Sequence, residues 1–165
     1  MCFAIASASG IYVGKEIGAN QFEAAERDGS RALRLTVATA AVGGVLIAVA
    51  SPFVIRYASL RETATGYLKI MLAINVYYIM GSAVNTTLIA GLFRAGGDSR
   101  FGLICDAIDM WCYAVPLGFI AAFALKLPPM VVYFLLCTDE FVKWPWVLKR
   151  YRSKKWLKNI TREEV

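Results

Sequence analysis

Residues 91–118 decide the fold, and they read GLFRAGGDSRFGLICDAIDMWCYAVPLG. An apolar run ends at Arg94, the chain turns through residues 95–98, and a second apolar run begins after Arg100. Glycines in so short a connection mark a tight turn between neighbouring elements. The stretch therefore predicts two apolar helices joined by a very short basic turn.

The composition is that of a membrane protein. Of the 165 residues, 58% are hydrophobic and 18% are charged, and the mean hydropathy is +0.54. The charged residues gather between apolar runs of about 20 residues, which is the length that a lipid-embedded helix requires. We therefore expect an all-α membrane protein with the fold of a polytopic helical bundle. The alternative is a soluble all-helical domain with unusually apolar core helices.

Four full membrane-spanning helices are expected after the end of a preceding one. The predicted segments are the end of a helix over 1–18, helices over 19–56, 64–93, 100–125 and 129–150, and a basic cytoplasmic tail over 151–165. Asn20, three residues before Glu23, is expected to cap the start of the first full helix, and Pro52 to mark its far end. No basic segment precedes the apolar first ten residues, so we expect no cleaved signal peptide. We expect instead that these residues are the end of a longer helix and that the chain is a fragment.

Small residues recur every four positions at two places, and such stripes allow helices to approach closely in lipid. The two sets are Gly10, Gly14 and Gly18, and Thr36, Ala40, Gly44 and Ala48. For Gly18, the end of a helix is an equally good reading.

A polar stripe follows one face of the helix predicted over 64–93. Its members are Asn75, Tyr78, Ser82 and Asn85, spaced i, i+3, i+7 and i+10. Polar side chains at this depth are costly in lipid, so the stripe should face protein or a wet cavity. It either lines a substrate cavity or holds neighbouring helices together by hydrogen bonds.

Two carboxylates lie deep in the next predicted helix. Asp106 and Asp109 share a side of it with Tyr113, and Pro116 should kink or loosen the helix beside them. Each carboxylate costs roughly 2.5 to 3.5 kcal/mol at the centre of a membrane helix. Asp106, Asp109 and Tyr113 are therefore candidates for ion coupling.

The last predicted span contains two more acids and a lysine. Asp139 and Glu140 precede Lys143 by four and three residues, the favourable order for a structural ion pair within a helix. The alternative is a direct role in transport. The four cysteines lie in apolar runs without metal-ligand spacing, so no metal site is expected.

The charges also predict the topology. Most basic residues fall on one side of the predicted membrane, where Lys15, Arg94, Arg100 and the tail lie, and fewer on the other, with Arg56, Arg61 and Lys126. The positive-inside rule then places the Gly18 and Gly96 loops and the C-terminus in the cytoplasm. The tail directly follows an apolar run beside an aromatic belt of Trp144, Trp146, Tyr151 and Trp156. We therefore expect it to face anionic lipid and not nucleic acid.

Residues 91–101, GLFRAGGDSRF, resemble a motif written G-x-L-R-G-x-G-D-T-R-F in the multidrug and toxic compound extrusion family. The resemblance continues through Asp106 with Met110-Trp111, through residues 116–118, and through Asp139-Glu140 with the basic residues after them. Residues 13–20 look like the loop after that family's eighth helix. The resemblance covers essentially the whole chain.

The resemblance implies helices eight to twelve of a twelve-helix exporter, which is most of the C-terminal lobe. In that family two lobes enclose a cavity that opens alternately to each face, and cationic or amphipathic compounds leave against inward sodium or proton flow. It also implies a multi-pass protein of the bacterial plasma membrane, with the lipid bilayer, an N-terminal lobe and a small substrate as partners. Beyond the coupling ion, no cofactor is implied. Some members carry a coupling carboxylate where this chain has Ala83, so coupling here would depend on the other lobe or on Asp106 and Asp109.

Two other functions stay open. A lipid-linked oligosaccharide flippase would need basic groups for a pyrophosphate, and Lys69 and Lys143 are the candidates. A membrane remnant without transport activity is the other. No histidine, nucleophile elbow or phosphate loop is present in the sequence, so we expect no enzyme.

Overall fold

The computed structural model describes residues 1–57 and 62–159, with the backbone alone for Glu62 and Thr63. Every regular element in these ranges is helical, which confirms the predicted all-α class. The α-helices are α1 Cys2–Gly18, α2 Phe22–Tyr57, α3 Glu62–Asn85, α4 Ser99–Ile108, α5 Val115–Phe119, α6 Pro129–Leu136, α7 Asp139–Val142 and α8 Trp144–Arg152. Arg61 and the predicted tail beyond Asn159 lie outside the described residues.

Three π-helical segments continue these helices with wider turns. They are Thr86–Phe93 after α3, Asp109–Ala114 between α4 and α5, and Ile120–Ala124 after α5. The second ends two residues before Pro116, whose ring would clash with the carbonyl group four residues earlier in a regular α-helix. A wider turn relieves that clash, so the predicted loosening beside the acids is confirmed.

Three of the described helices are long and apolar enough to span a membrane: Phe22–Tyr57, Ala64–Phe93 and Ser99–Ala124. Their large apolar side chains point outward, as Leu46, Trp111 and Phe123 show by being 63–71% exposed. The fourth predicted span differs, because residues 129–152 form three short helices, α6 to α8. Thr138 interrupts it where its hydroxyl bonds to the carbonyl of Leu135, and Pro145 has no N–H to continue the ladder.

Two residues that were predicted to mark helix ends do not do so, although the predicted end of α2 at residue 56 lies one residue from the observed end. α2 passes through Pro52 and ends at Tyr57, since a long membrane helix tolerates a proline when its other hydrogen bonds persist. Asn20 does not cap α2. It has a positive φ of 59°, and the N–H groups of Asn20 and Gln21 bond to carbonyls of Ile17 and Glu16. Asn20 therefore terminates α1, in the left-handed conformation that closes many helices.

Close packing between helices depends on small residues. A Cβ added to Gly10 would lie 3.1 Å from the carbonyl oxygen of Gly91, and one added to Gly91 would lie 2.8 Å from that of Ala6. The predicted glycine face of α1 thus contacts the segment Thr86–Phe93. Along α2, Thr36, Ala40 and Gly44 are buried as predicted, while Ala48 is exposed.

The hydrophobic core lies at one end of the bundle, where three chain segments meet. Leu88, Leu92, Phe93, Val147 and Trp156 are at most 1% exposed and belong to one cluster. At the same end, the side-chain amide of Asn159 donates to Oδ1 of Asn20 at 2.6 Å, and the backbone N–H of Lys158 donates to the Gly96 carbonyl at 3.1 Å. The Gly18 loop, the Gly96 loop and the tail therefore lie together, as the charges predicted. Trp156 is buried, so its assignment to an aromatic belt is wrong.

Candidate functional site

Four carboxylates and one ammonium group gather between two helical segments. Asp106 lies in α4 and Asp109 begins the π-helical segment after it, whereas Asp139 and Glu140 begin α7 and Lys143 follows it. α7 packs against both α3 and the segment Asp109–Ala114. The sequence predicted these acids as two separate groups, and the structure brings them to one place.

Lys143 is the centre of this cluster. Its Nζ lies 3.5 Å from Asp106 Oδ1, 3.4 Å from Asp109 Oδ2 and 3.6 Å from Glu140 Oε2. The Glu140–Lys143 pair was predicted, and the two contacts with the aspartates were not. Asp139, the other predicted partner, instead accepts the N–H of Glu140 through Oδ1 at 2.7 Å.

The cluster is buried and unevenly charged. Asp109, Glu140 and Lys143 are less than a tenth exposed, whereas the side chain of Asp106 is half exposed. The cluster holds four carboxyl groups and one lysine, so the positive charge of Lys143 can balance only one negative charge. Buried charge of one sign is unfavourable unless a proton, a cation or water compensates it. The arrangement can therefore accept positive charge.

Asn85 extends the cluster to α3. Its Nδ2 donates to both the backbone oxygen and Oε2 of Glu140 at 2.6 Å, and the hydroxyl of Tyr78 donates to Oε1 of Glu140 at 3.4 Å. Glu140 was missed as the partner of this stripe, because contacts between residues 55 and 62 positions apart leave no signal in local spacing. The polar stripe does hold helices together, which is one of its two predicted roles.

The stripe also extends beyond the cluster. Ser82 and Tyr78 line a separate cavity of about 430 Å³ between α1, α2 and α3. Asn75 is half-buried, about 15 Å of helix rise from Asn85. The stripe therefore does not line one site along its length. Ala83, which also lines this cavity, is buried.

A cavity of about 470 Å³ faces the cluster. Its charged lining consists of Asp106, Asp109, Asp139, Glu140 and Lys143, and its apolar lining includes Phe3, Ile89 and Met110. Two buried oxygens, Oδ1 of Asp109 and Oδ1 of Asn85, have no hydrogen-bond donor among the described residues. The cavity thus combines an apolar wall with buried acceptors that lack a partner. Phe3 and Ile89 were not predicted, since an apolar residue in a membrane helix gives no signal of lining a cavity.

Tyr113 does not reach the acids. Its hydroxyl lies 2.8 Å from Oγ1 of Thr138, which in turn donates to the Leu135 carbonyl. The wider π-helical turn between Asp109 and Tyr113 displaces Tyr113 from the face that a regular α-helix would give it. Tyr113 therefore contacts the break between α6 and α7, which argues against the predicted coupling role.

A second buried charge lies in the turn of the opening stretch. Asp98 is 5% exposed, and Nε and Nη2 of Arg150 donate to its two oxygens at 2.6 and 2.9 Å. Lys158 Nζ adds a contact at 3.4 Å. Burial alone would raise the pKa of Asp98, but the hydrogen bonds and charges of Arg150 and Lys158 outweigh it and lower that pKa. The same hydrogen bonds raise the pKa of Arg150.

The described residues contain no group of three or more acids, histidines or cysteines with the geometry of a metal site. All four cysteines are free thiols: Cys105 and Cys137 are buried, Cys2 is half-buried and Cys112 is exposed.

The fold and this site define a polytopic α-helical membrane protein with an ion-pair cluster facing a cavity between its helices. A sequence model of the MatE family matches residues 1–120. That is most of the chain, which therefore belongs to the MatE family, in agreement with the resemblance in its turn motif.

One curated relative is an uncharacterized transporter, YisQ, from Bacillus subtilis (strain 168). This chain is 26% identical to it over 154 residues, covering 93% of the chain and 34% of the relative. The chain thus spans about a third of the length of that relative. No solved structure matches the chain. The family and the relative support a membrane transporter.

Proposed function

We propose that this chain forms most of one lobe of a secondary transporter, which exports small cationic or amphipathic compounds in exchange for sodium ions or protons. The observation that carries the proposal is the cluster of Asp106, Asp109 and Glu140 around Lys143, facing the cavity of about 470 Å³. Buried ionisable side chains in membrane helices mark ion and substrate pathways.

The cavity suits an amphipathic cation. Its volume falls within the roughly 300–1,000 Å³ of small-molecule sites, and its apolar wall of Phe3, Ile89 and Met110 faces the acids. An apolar body could contact that wall while a positive group approaches Asp109. This division favours organic cations over neutral or anionic compounds.

The coupling ion would use the same carboxylates. A sodium ion or a proton at Asp106 or Asp109 would balance negative charge that Lys143 leaves uncompensated. Because the wider turns and helix breaks lie next to these residues, a change of charge there can alter how the segments pack. Alternating access would couple ion entry to substrate release in this way.

The setting of the lobe follows from the same proposal. A second lobe outside this chain would complete the cavity in the bilayer of the bacterial plasma membrane. The Gly18 and Gly96 loops and the C-terminus would face the cytoplasm, because their basic residues exceed those at the opposite end. The flippase alternative is less favoured, since Lys143 is engaged by three carboxylates and is not free for a pyrophosphate.

The experiment uses the complete protein, with both lobes, reconstituted in liposomes that contain ethidium as the probe. A sodium or proton gradient should drive ethidium transport, and Asp106→Asn together with Asp109→Asn should lower the rate at least tenfold. Asp28→Asn is the matched control, because Asp28 is partly exposed and pairs with Arg31 outside the cluster. Unchanged gradient-driven transport in the double variant at every pH tested would exclude these acids from coupling.

A further inference from the structure

Lys143 contacts carboxylates on two separate helical segments. Asp106 and Asp109 lie on Ser99–Ala124, and Glu140 precedes Lys143 by one turn. All three distances, 3.4 to 3.6 Å, exceed the roughly 2.7–2.9 Å of a charge-assisted hydrogen bond. The ammonium group is shared among its partners, with no short bond to one of them.

The cavity beside Lys143 also offers acceptors that the lysine does not use. Asp109 binds Lys143 through Oδ2, while its buried Oδ1 has no donor among the described residues. Asn85 is 4% exposed and lines the same cavity, and its Oδ1 also lacks a donor in that part of the chain. Asn85 is uncharged and lies on a different helix from the acids, and although its Nδ2 donates to Glu140, its Oδ1 stays available to a ligand in the cavity. Both oxygens can accept hydrogen bonds from a ligand in the cavity, and the carboxylate of Asp109 favours a ligand that carries positive charge.

We propose that Lys143 is a tethered counter-cation that competes with the transported cation for Asp106 and Asp109. The inference rests on the proposed function and assigns a positioning role to this residue. With the cavity empty, the ammonium group bridges the two helical segments. A cation that binds Asp109 and Asn85 takes over the aspartates, and Lys143 retains Glu140 on its own segment.

Through this exchange, binding of a cation would cause α7 to move. Lys143 lies at the break between α7 and α8, and Thr138 lies at the break between α6 and α7. The four-residue helix α7 is therefore bounded by two breaks, and Lys143 connects it to Ser99–Ala124. Loss of that bridge on cation binding frees α7 to shift relative to the aspartates.

A lysine suits this role better than an arginine. Its ammonium group is a compact point charge on a flexible stem, so it can change partners within a few ångströms. A guanidinium group would bind a carboxylate through two parallel hydrogen bonds and be harder to displace.

The first test measures equilibrium binding of ethidium to the complete protein in detergent, without a gradient. Lys143→Gln removes the competitor, so ethidium should bind at least tenfold more tightly. Lys149→Gln is the matched control, because Lys149 is exposed six residues further along and has no ion pair among the described residues. Unchanged or weaker binding in Lys143→Gln would overturn the inference.

Tighter binding could also arise from removing a positive charge near the cavity, so a second measurement separates the two causes. Spin labels at Ile104, which is about half exposed, and at Val142 of α7, which is half-buried, report the distance between Ser99–Ala124 and α7. Ethidium should shift this distance in the native protein, and Lys143→Gln should show the shifted distance without ethidium. If the distance in Lys143→Gln without ethidium equals that of the native protein without ethidium, the proposed exchange of cations is contradicted.

Lys143→Arg keeps the charge and covers the case in which Lys143→Gln fails to fold. Its firmer contacts with the aspartates should weaken ethidium binding about tenfold, and native or tighter binding would contradict the inference. Failure of the native protein to bind or transport ethidium would instead overturn the proposed function, and the inference with it. If the native protein transports ethidium but Lys143→Gln leaves ethidium binding and the spin-label distance unchanged, the inference is overturned and the proposed function stands.

Discussion

Arg150 binds both carboxylate oxygens of Asp98, with Nε at 2.6 Å from Oδ2 and Nη2 at 2.9 Å from Oδ1. The two residues are 52 positions apart and connect α8 to the turn between the two long helices. The guanidinium group also lies 4.9 Å from the centre of the Phe101 ring. The bundle's hydrophobic core lies at this end, so the pair connects α8 to the turn beside that core.

Asp98→Asn should lower the stability of the protein. Removing one partner of a buried pair costs roughly 3–5 kcal/mol, and the side chain of Arg150 is 24% exposed, so solvent reduces the cost to about 2 kcal/mol. The measurement is thermal unfolding of the purified protein in detergent. Asp28→Asn, at an exposed pair with Arg31, should cost less than about 1 kcal/mol. Equal losses in the two variants would show that burial of Asp98 adds nothing.

The contribution of Asp98 should depend on pH only in acid. Its pKa in the folded protein lies below its ordinary value of 3.8, so the ionised form is the stabilising one. Its contribution is then fully present above that ordinary value and is lost as the pH falls through the lowered pKa. The difference in unfolding temperature between native protein and Asp98→Asn should be constant from about pH 8 to pH 5 and shrink below about pH 4. A difference that already shrinks near pH 6 would contradict the lowered pKa.

Gly96→Ala should displace the C-terminal segment. A Cβ at this position would overlap the carbonyl oxygen of Trp156, and Trp156 is part of the core. Overpacking of this kind costs about 1–3 kcal/mol. Gly43→Ala is the control, because nothing lies within 4 Å of a Cβ added there. The unfolding temperature should fall for Gly96→Ala and be retained for Gly43→Ala, and the reverse order would contradict the packing of Trp156 on the turn.

The helical class, the long spans and the clustering of the basic loops could be predicted from the sequence. Apolar runs of membrane length and the uneven charge of the loops are local properties of the sequence, so they do not depend on which segments meet in the fold. The small-residue stripe of α2 was correct at Thr36, Ala40 and Gly44, because helical spacing places these residues on one face. Ala48 lies outside the contact, where the packed surface ends, and no residue type marks that end.

The assembly of the site could be predicted only in part. Asp106 and Asp109 were identified from the cost of burying charge, and Glu140 with Lys143 from their spacing on one helix. Their meeting depends on how α7 packs against α3 and Ser99–Ala124, which spacing does not encode. The same holds for Asp98 with Arg150, since a turn residue and a residue at the end of the last predicted helix each have an ordinary local explanation.

Tyr113 was misplaced for a different reason. Its position four residues after Asp109 places it on the acidic face only if the helix is regular. The π-helical segment Asp109–Ala114 changes that register, and Pro116 identifies a disturbance without specifying its form. A regular-helix assumption therefore fails where a proline lies beside the site.

Tyr113→Phe should lower stability modestly and leave ion coupling intact. The variant loses the hydrogen bond to Thr138 at 2.8 Å, which contributes about 0.5–1.5 kcal/mol, while the contacts of Lys143 with the aspartates remain. Unfolding temperature measures the first effect, and the dependence of ethidium transport on the sodium or proton gradient measures the second. Thr138→Val removes the same bond from the other side and also the bond from the Thr138 hydroxyl to the Leu135 carbonyl, so it should cost at least as much stability as Tyr113→Phe. If Tyr113→Phe loses ion coupling and Thr138→Val does not, the position of Tyr113 away from the acids is contradicted. Tyr113 would then have a role in ion coupling.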